Sequence, residues 1–398
     1  MKIVSKLLGA AALSLVASTA LAGPKLEIVT EWNSLPYEVQ DAEAKATWEN
    51  SKLFGKSLMQ GVKVDKQSNL YVSTARWGGP EIPATLSKLK DTSEGKVLVP
   101  YPSEEMNSMD NAKGLKAVLG FEIDRNNIMW ILDQGHVAGQ PSKAGDEKLV
   151  LWDIDKNQEV QRYEFSEKDS NRQCSFLNDL VIDNDSGFAY ITDSGIFCQP
   201  LDGGLIVYDS NTNTARRVLA GTKFTNNEKN FFFNINGEPV LSKNPMLTGA
   251  DGIALSGDKK TLYWTNLTGN TLYAIETALL RDFSRSEDVL QASVRVVTTL
   301  PSNTDGMTAD RDGNLYMTGL TLNGLMHRDA ETGDVTRLTY DKTMVWPDTL
   351  AWGPNGDLYI ASNNLHTWVD GKMNFENPET SNFKIWRLKV GKASYLQP

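Results

Sequence analysis

The sequence predicts an all-β fold: a six-bladed β-propeller closed by an N-terminal strand in the last blade. Three observations carry this. A strand–turn–strand unit recurs six times. Its copies begin at residues 60, 119, 178, 251, 305 and 348, so they lie 43 to 73 residues apart. Five copies are followed by two further strands, whereas the sixth is followed by one. Repeats of roughly 40–50 residues built from short strands are the pattern of a propeller with one sheet per repeat, and the longer intervals leave room for insertions.

The fifth copy shows the unit most clearly. In Asp305-Gly306-Met307-Thr308-Ala309, Met307 and Ala309 alternate with polar neighbours. Asp312-Gly313 supplies a hairpin turn, and Leu315-Tyr316-Met317 runs back. Residues 348–359 match it without a gap, and the copies starting at Asp251 and Asn178 match with one extra residue. The copies starting at Leu119 and Gln60 are weaker.

Taken from the N-terminus, residues 1–22 read as an export signal rather than part of the fold. Lys2 and Lys6 precede a short apolar run at 7–15, and Ala20-Leu21-Ala22 is a cleavage pattern that would start the mature chain at Gly23. The run is too short for a membrane span. The expected location is therefore secreted or periplasmic, with residues 23–398 as one propeller domain. Removing the signal leaves 38 basic against 50 acidic residues, a net charge of −12. Such a balance, without Lys/Arg clusters, argues against nucleic-acid or anionic-membrane partners. A small-molecule ligand and a monomeric chain are the expectation.

Residues 26–32 alternate as a strand that would complete the sixth sheet and remove its open edge. Residues 42–50 predict a short helix. The third and fourth strands of the blades are expected at 84–89 and 96–100, 148–153 and 160–165, 204–209 and 215–219, 271–275 and 294–298, and 324–328 and 335–338. Residues 383–388 supply the last blade. Two insertions, 101–115 and 221–247, join an outer strand to the next inner strand, on the face where propeller ligands enter. The second contains Phe231, Phe232 and Phe233, readable either as a ligand-stacking lid or as a small satellite core. Cys174 and Cys198 flank the first two strands of the third repeat. A disulfide there is geometrically plausible in an oxidising compartment; two free thiols are the alternative.

The first residues of the repeats, Gln60, Leu119, Asn178, Asp251, Asp305 and Asp348, would meet at the channel mouth. Carboxylates held close need a bound cation or raised pKa values. Oxygen ligands of this kind suit a hard cation, so Asn178, Asp251, Asp305 and Asp348 are candidate ligands for calcium or another divalent cation. The plain alternative is that these side chains bond neighbouring backbone amides. Gln60 and the strand-end residues Asp133 and Asp193 join the three Phe as candidate ligand-binding residues. His136 and His366 follow second strands on the same face and are candidate general acids or bases, or else loop histidines without special role. No G-x-S-x-G, H-E-x-x-H or phosphate-binding Gly loop is present.

Several segments resemble the Yellow/major royal jelly protein family. They are residues 73–86, containing Arg76-Trp77-Gly78-Gly79-Pro80 and Pro83-Ala84-Thr85-Leu86, then Val99-Pro100-Tyr101-Pro102-Ser103, Met129-Trp130-Ile131-Leu132-Asp133-Gln134-Gly135, Trp346-Pro347-Asp348 and Asn382-Phe383-Lys384-Ile385. The resemblance runs along nearly the whole mature chain and implies a secreted six-bladed propeller. Members of that family are linked to dopachrome conversion, to binding of biogenic amines in the central pocket, or to nutrition, and no catalytic set carries over residue by residue. A more distant similarity to gluconolactonase-type propellers implies a channel cation, which Asn178, Asp251 and Asp305 would hold, although the channel Glu of those enzymes has no counterpart at Gln60. The reading that follows is a propeller binding a small amine-bearing or aromatic ligand at the channel mouth. The alternative is a divalent-cation-dependent lactonase-like hydrolase or isomerase.

Overall fold

The structure is a computed structural model that describes residues 25–50 and 53–397; the export signal expected at 1–22 lies outside them. Six four-stranded antiparallel sheets follow one another along the chain. Their inner strands are Val62–Val64, Val118–Ile123, Leu177–Asp183, Ala250–Leu255, Met307–Ala309 and Pro347–Trp352. The sixth sheet contains three C-terminal strands and takes Leu26–Trp32 as its outermost. That strand pairs antiparallel with Phe383–Lys389, from Leu26 opposite Leu388 to Trp32 opposite Phe383. The first and last parts of the chain thus share one hydrogen-bonded ladder, so no blade is left short of a strand.

A local device shapes several inner hairpins. Asp65 accepts hydrogen bonds from the backbone of Gln67 and Asn69 and from the Tyr71 hydroxyl. Asp310 does the same for Asn314 and Tyr316, and Asp124 for Asn126, Ile128 and the Trp130 indole. Each aspartate both caps its turn and fixes the aromatic ring six residues on, which then enters the core between blades. The inner strands also need room for one another. A Cβ on Gly120 would sit 2.3 Å from the Asn178 carbonyl oxygen, and one on Gly306 2.2 Å from that of Asp348. Glycine at the second position of these repeats lets the next inner strand approach. Blades three and six carry Asp179 and Thr349 at that position instead, and both side chains line the channel.

The core lies between the sheets, with Trp264, Trp346 and Trp386 fully buried. Truncating a buried Leu to Ala in such a core costs about 2–5 kcal/mol. The helix expected at 42–50 is present as Ala42–Asn50. The third strand of the first blade is Leu86–Thr92, two residues later than the alternation suggested; Ala84 and Thr85 instead bond the Thr74 side chain and backbone. The 221–247 insertion folds a small hairpin of its own, Phe233–Ile235 against Glu238–Val240, turned by Asn236 and Gly237 at positive φ. Cys174 and Cys198 form a disulfide.

The two ends of the channel differ. At one end the chain's last described residues fold across the opening. Tyr395 is buried, its hydroxyl accepting from the Ile182 amide, and Leu396 is buried beside it. The other end is open, and the functional groups lie there.

Candidate functional site

The open end is a cavity of about 420 Å³. Its walls come from connecting segments that follow second strands or precede inner ones: Trp77 from the first blade, Phe176 and Phe197 from the third, Trp368 from the sixth. Their rings contact in series. Trp77 lies 5.6 Å from Phe176 and 6.5 Å from Trp368, and Phe176 lies 5.7 Å from Phe197. The disulfide ties the two third-blade loops together, with Cys174 two residues before Phe176 and Cys198 next to Phe197.

The floor is formed by Leu119, Asn178, Asp251, Asp305 and Asp348. The repeat register thus brings together all four residues considered as cation ligands. Asp305 accepts from the Trp346 indole at 2.7 Å. Asp348 accepts from Asn363 at 2.6 Å and from the Thr349 hydroxyl at 3.0 Å. Asp251 is 2% exposed and its Oδ2 has no partner. Burial pushes all three carboxyls up. Asp305 is raised to about 6, partly offset by Trp346, while Asp251 and Asp348 are raised well above the ordinary value, with the Asp305 charge adding to burial in both. Asp251 and Asp305 lie close enough to share a proton, which favours Asp251 as the holder and lowers Asp305. Full ionisation of such a cluster is costly unless a proton or a bound cation completes it.

Beneath the floor the channel narrows to about 20 Å³, lined by Lys63 and Asp179 as well as the floor aspartates. Lys63 is buried, 3.0 Å from Glu122 and 3.0 Å from the Leu350 carbonyl oxygen. Burial raises Glu122 and Asp179, and Lys63 opposes both shifts. Lys63 itself is raised: burial lowers it, but Glu122 and Asp179 outweigh that. One buried cation therefore serves the two acids below the floor, and no hydrogen bond joins it to the three above.

The oxygens of Asp305 and Asp348 are engaged with indole, amide and hydroxyl donors. Among the described residues, no group of three or more His, Cys, Asp or Glu is arranged to hold a metal ion. The floor is thus a hydrogen-bonded acidic cluster with one orphaned oxygen, rather than a preformed coordination shell.

The remaining candidates sit elsewhere. Gln60 turns its Oε1 to the Ala75 amide, away from the cavity. Asp133 pairs with Lys148 at 2.8 Å, both fully buried, and accepts from the amides of Lys116, Ala117 and Gly135. Asp193 pairs with Arg217 at 2.9 Å and accepts from Ser175 and the amides of Phe176 and Gly195. Both hold the wall loops in place from behind. His136 is buried, with Nδ1 3.0 Å from the Gln140 carbonyl, Nε2 3.4 Å from Glu147, and its ring against Phe197. His366 stacks on Trp346, and burial lowers its pKa. Neither histidine lines the cavity. Of the three Phe, Phe233 is buried and stacked on Trp346, Phe231 packs edge-on to Phe233, and Phe232 is 70% exposed. Their insertion instead contributes Asn244 and Met246 to the cavity, and Thr248 follows it there.

The aromatic walls escaped the reading of the strands. Trp77 and Phe197 stand in loops just after second strands, Trp368 in the short helix Leu365–Val369 that follows another, and Phe176 just before an inner strand. Scanning those loops for aromatics, as the strand ends were scanned for polar groups, would have found them.

The family model for major royal jelly protein matches residues 117–396. This chain belongs to the major royal jelly protein family. The matched region holds the whole floor and most of the wall, while Trp77 precedes it. "Protein yellow" of Drosophila madeirensis is 26% identical over 283 residues, covering 68% of this chain and 48% of that protein. The chain thus spans about half the length of the curated relatives it matches. Among solved structures, a luciferin-regenerating enzyme superposes with a TM-score of 0.51 at 14% identity, over 94% of this chain and 97% of that one. A propeller provisionally described as a gluconolactonase gives 0.51 at 12% identity over 94% of each chain. At such identities these two likenesses concern the fold alone.

Proposed function

We propose that this family member is an exported propeller that binds a small aromatic ligand bearing an amine at the open channel mouth. The observation that carries the reading is the juxtaposition of ring-lined walls with an acidic floor in one 420 Å³ cavity. The rings offer stacking and cation–π surface, and the carboxyls offer charge complementarity to an ammonium. The signal-like pattern of residues 1–22 and the disulfide support export to an oxidising compartment. The experiment is a thermal-shift screen of aryl-alkyl amines, followed by calorimetry on any hit. Saturable binding of one ligand per chain, lost in Trp368→Ala, is expected. Binding unchanged in that variant would place the ligand elsewhere.

A second reading keeps one specific observation in its favour. The buried, unpartnered Asp251 Oδ2 beside two other carboxyls would be satisfied by a divalent cation such as calcium, and the chain would then be a cation-dependent lactonase-like hydrolase or isomerase. Elemental analysis with melts in calcium and in chelator separates the two. Stoichiometric metal with a chelator-sensitive melting temperature favours the second reading; no metal and no shift removes it.

A further inference from the structure

We propose that His136 is a positioning residue for the cavity wall. Held as a buried imidazolium against Glu147, it keeps Phe197 and the 134–140 loop in place, and loss of its second proton in alkaline solution releases both. This goes beyond the binding reading above and does not depend on which ligand the cavity takes.

The protons can be counted from the hydrogen bonds. His136 and Glu147 are each 1% exposed. His136 Nδ1 lies 3.0 Å from the Gln140 carbonyl oxygen. A carbonyl oxygen only accepts, so Nδ1 carries a proton. A neutral ring has no other, and its bare Nε2 would face Glu147 Oε1 at 3.4 Å. Two acceptors turned on each other in a buried site are costly. A second ring proton removes the conflict, because an imidazolium donates from both nitrogens. Ser142 favours the ring over Glu147 as the holder of that proton. Its hydroxyl donates to Glu147 Oε1, and such a bond is stronger to a carboxylate than to a neutral acid.

The charged groups around the pair are committed elsewhere. Lys148, next to Glu147 in the chain, pairs with Asp133, and Arg172, whose carbonyl receives the Ser142 amide, pairs with Glu167. Arg76, whose carbonyl receives the Ala138 amide, spends its guanidinium on the carbonyls of Ile82, Leu115, Lys116 and Asn107. Asp146 accepts from the Lys143 amide, and Asp193, behind Phe176, pairs with Arg217. Among the described residues, the counter-charge for Glu147 is therefore left to His136.

What the pair holds is the wall. The His136 ring packs on Phe197 with centroids 5.0 Å apart, and Phe197 lines the cavity. Ala138 and Gly139, on the His136 loop, line it too. That loop is strained: Gly135, Ala138 and Gly139 all have positive φ, and alanine carries a steric penalty there. The bond from His136 to the Gln140 carbonyl closes it. Once the second proton is gone, Glu147 is a buried charge without a partner, and the loop gains by letting ring and carboxylate reach water. The wall should stand in acidic and neutral media and come loose in alkaline ones.

The chain has three histidines, few enough to resolve singly by nitrogen-15 NMR of the folded, tag-free protein. At about pH 7.5, above the range where a free histidine titrates, one imidazolium is expected. Burial lowers the pKa of His327 and His366, so both should be neutral there. His327→Gln and His366→Gln, which leave the pair intact, assign the signal to His136 by elimination. Between about pH 7.5 and about pH 9.5, hydrogen exchange in residues 134–140 and 195–199, corrected for its intrinsic pH dependence, should rise at least about tenfold while the blade strands stay protected. Glu147→Gln supplies the readout that a packing role would not move. Its amide can donate to the bare Nε2, so His136 should be neutral and the extra exchange should vanish. No imidazolium in the wild type, which needs no variant to fold, would overturn the inference. So would an imidazolium without the local rise, a rise spread over all the blades, or a rise that persists in Glu147→Gln.

Discussion

Two sets of buried or half-buried aspartates stand on the same face of this propeller and meet burial in opposite ways. Asp133 and Asp193 each have a basic partner, Lys148 and Arg217, and each accepts two backbone amides or more. Asp251, Asp305 and Asp348 have no basic partner among the described residues, and the Asp305 charge raises the pKa of the other two. The first set is electrically closed and fastens loops. The second is open, and a ligand or a proton must complete it. The difference teaches that a buried carboxylate by itself says little about function; its counter-charge does.

The comparison breaks most visibly on the closed side. Lys148→Met should leave Asp133 buried without its cation and cost about 3–5 kcal/mol of folding free energy, read from urea unfolding. A loss under about 1 kcal/mol would mean that Asp133 does not depend on its pair. The Asp193 loops carry a second fastening, since Ser175, Phe176 and Gly195 all bond Asp193 and lie within the 24-residue span of the disulfide. Replacing both cysteines with serine should cost about 3 kcal/mol by loop-closure entropy and weaken ligand binding by loosening Phe176 and Phe197. Unchanged affinity would show that Asp193 holds the wall unaided.

On the open side the expected signature is pH dependence. The Asp305 carboxyl is raised from 3.8 to about 6 in the fold, so between those values the native state holds more protons than the unfolded chain. Its stabilising contribution is full below about pH 4 and is lost as pH rises through about 6, a change of no more than about 3 kcal/mol. Unfolding free energies across that range should fall less steeply in Asp305→Asn than in wild type. Parallel curves would mean that Asp305 is ionised throughout. The smallest effect belongs to a residue outside both sets. Phe232→Ser should change stability by less than about 0.5 kcal/mol and leave ligand affinity intact; a lost affinity would return the Phe-rich hairpin to the site.

Much of this was legible in the chain itself. The register of the six repeats placed Asn178, Asp251, Asp305 and Asp348 around one axis because inner strands of equal phase point the same residue at the channel. The same logic marked Asp133 and Asp193 as lying on the ligand face. It could not tell that both are neutralised, because Lys148 and Arg217 come from the third and fourth strands of their sheets and meet the aspartates only through cross-strand pairing. Gln60 shows the same limit. It shares the repeat phase, yet its side chain caps Ala75.

The sequence alone determined the architecture and the identity of the floor, because both follow from short-range periodicity: alternation within a strand, a turn, and a repeat that must close on itself. Tertiary structure decided which acids are paired with a base and which aromatic rings wall the cavity. Those outcomes depend on partners that lie far apart in the chain or on different blades, as with Asp305 and Trp346 or Trp77 and Trp368, and on burial, which exists only after the blades have packed into a ring.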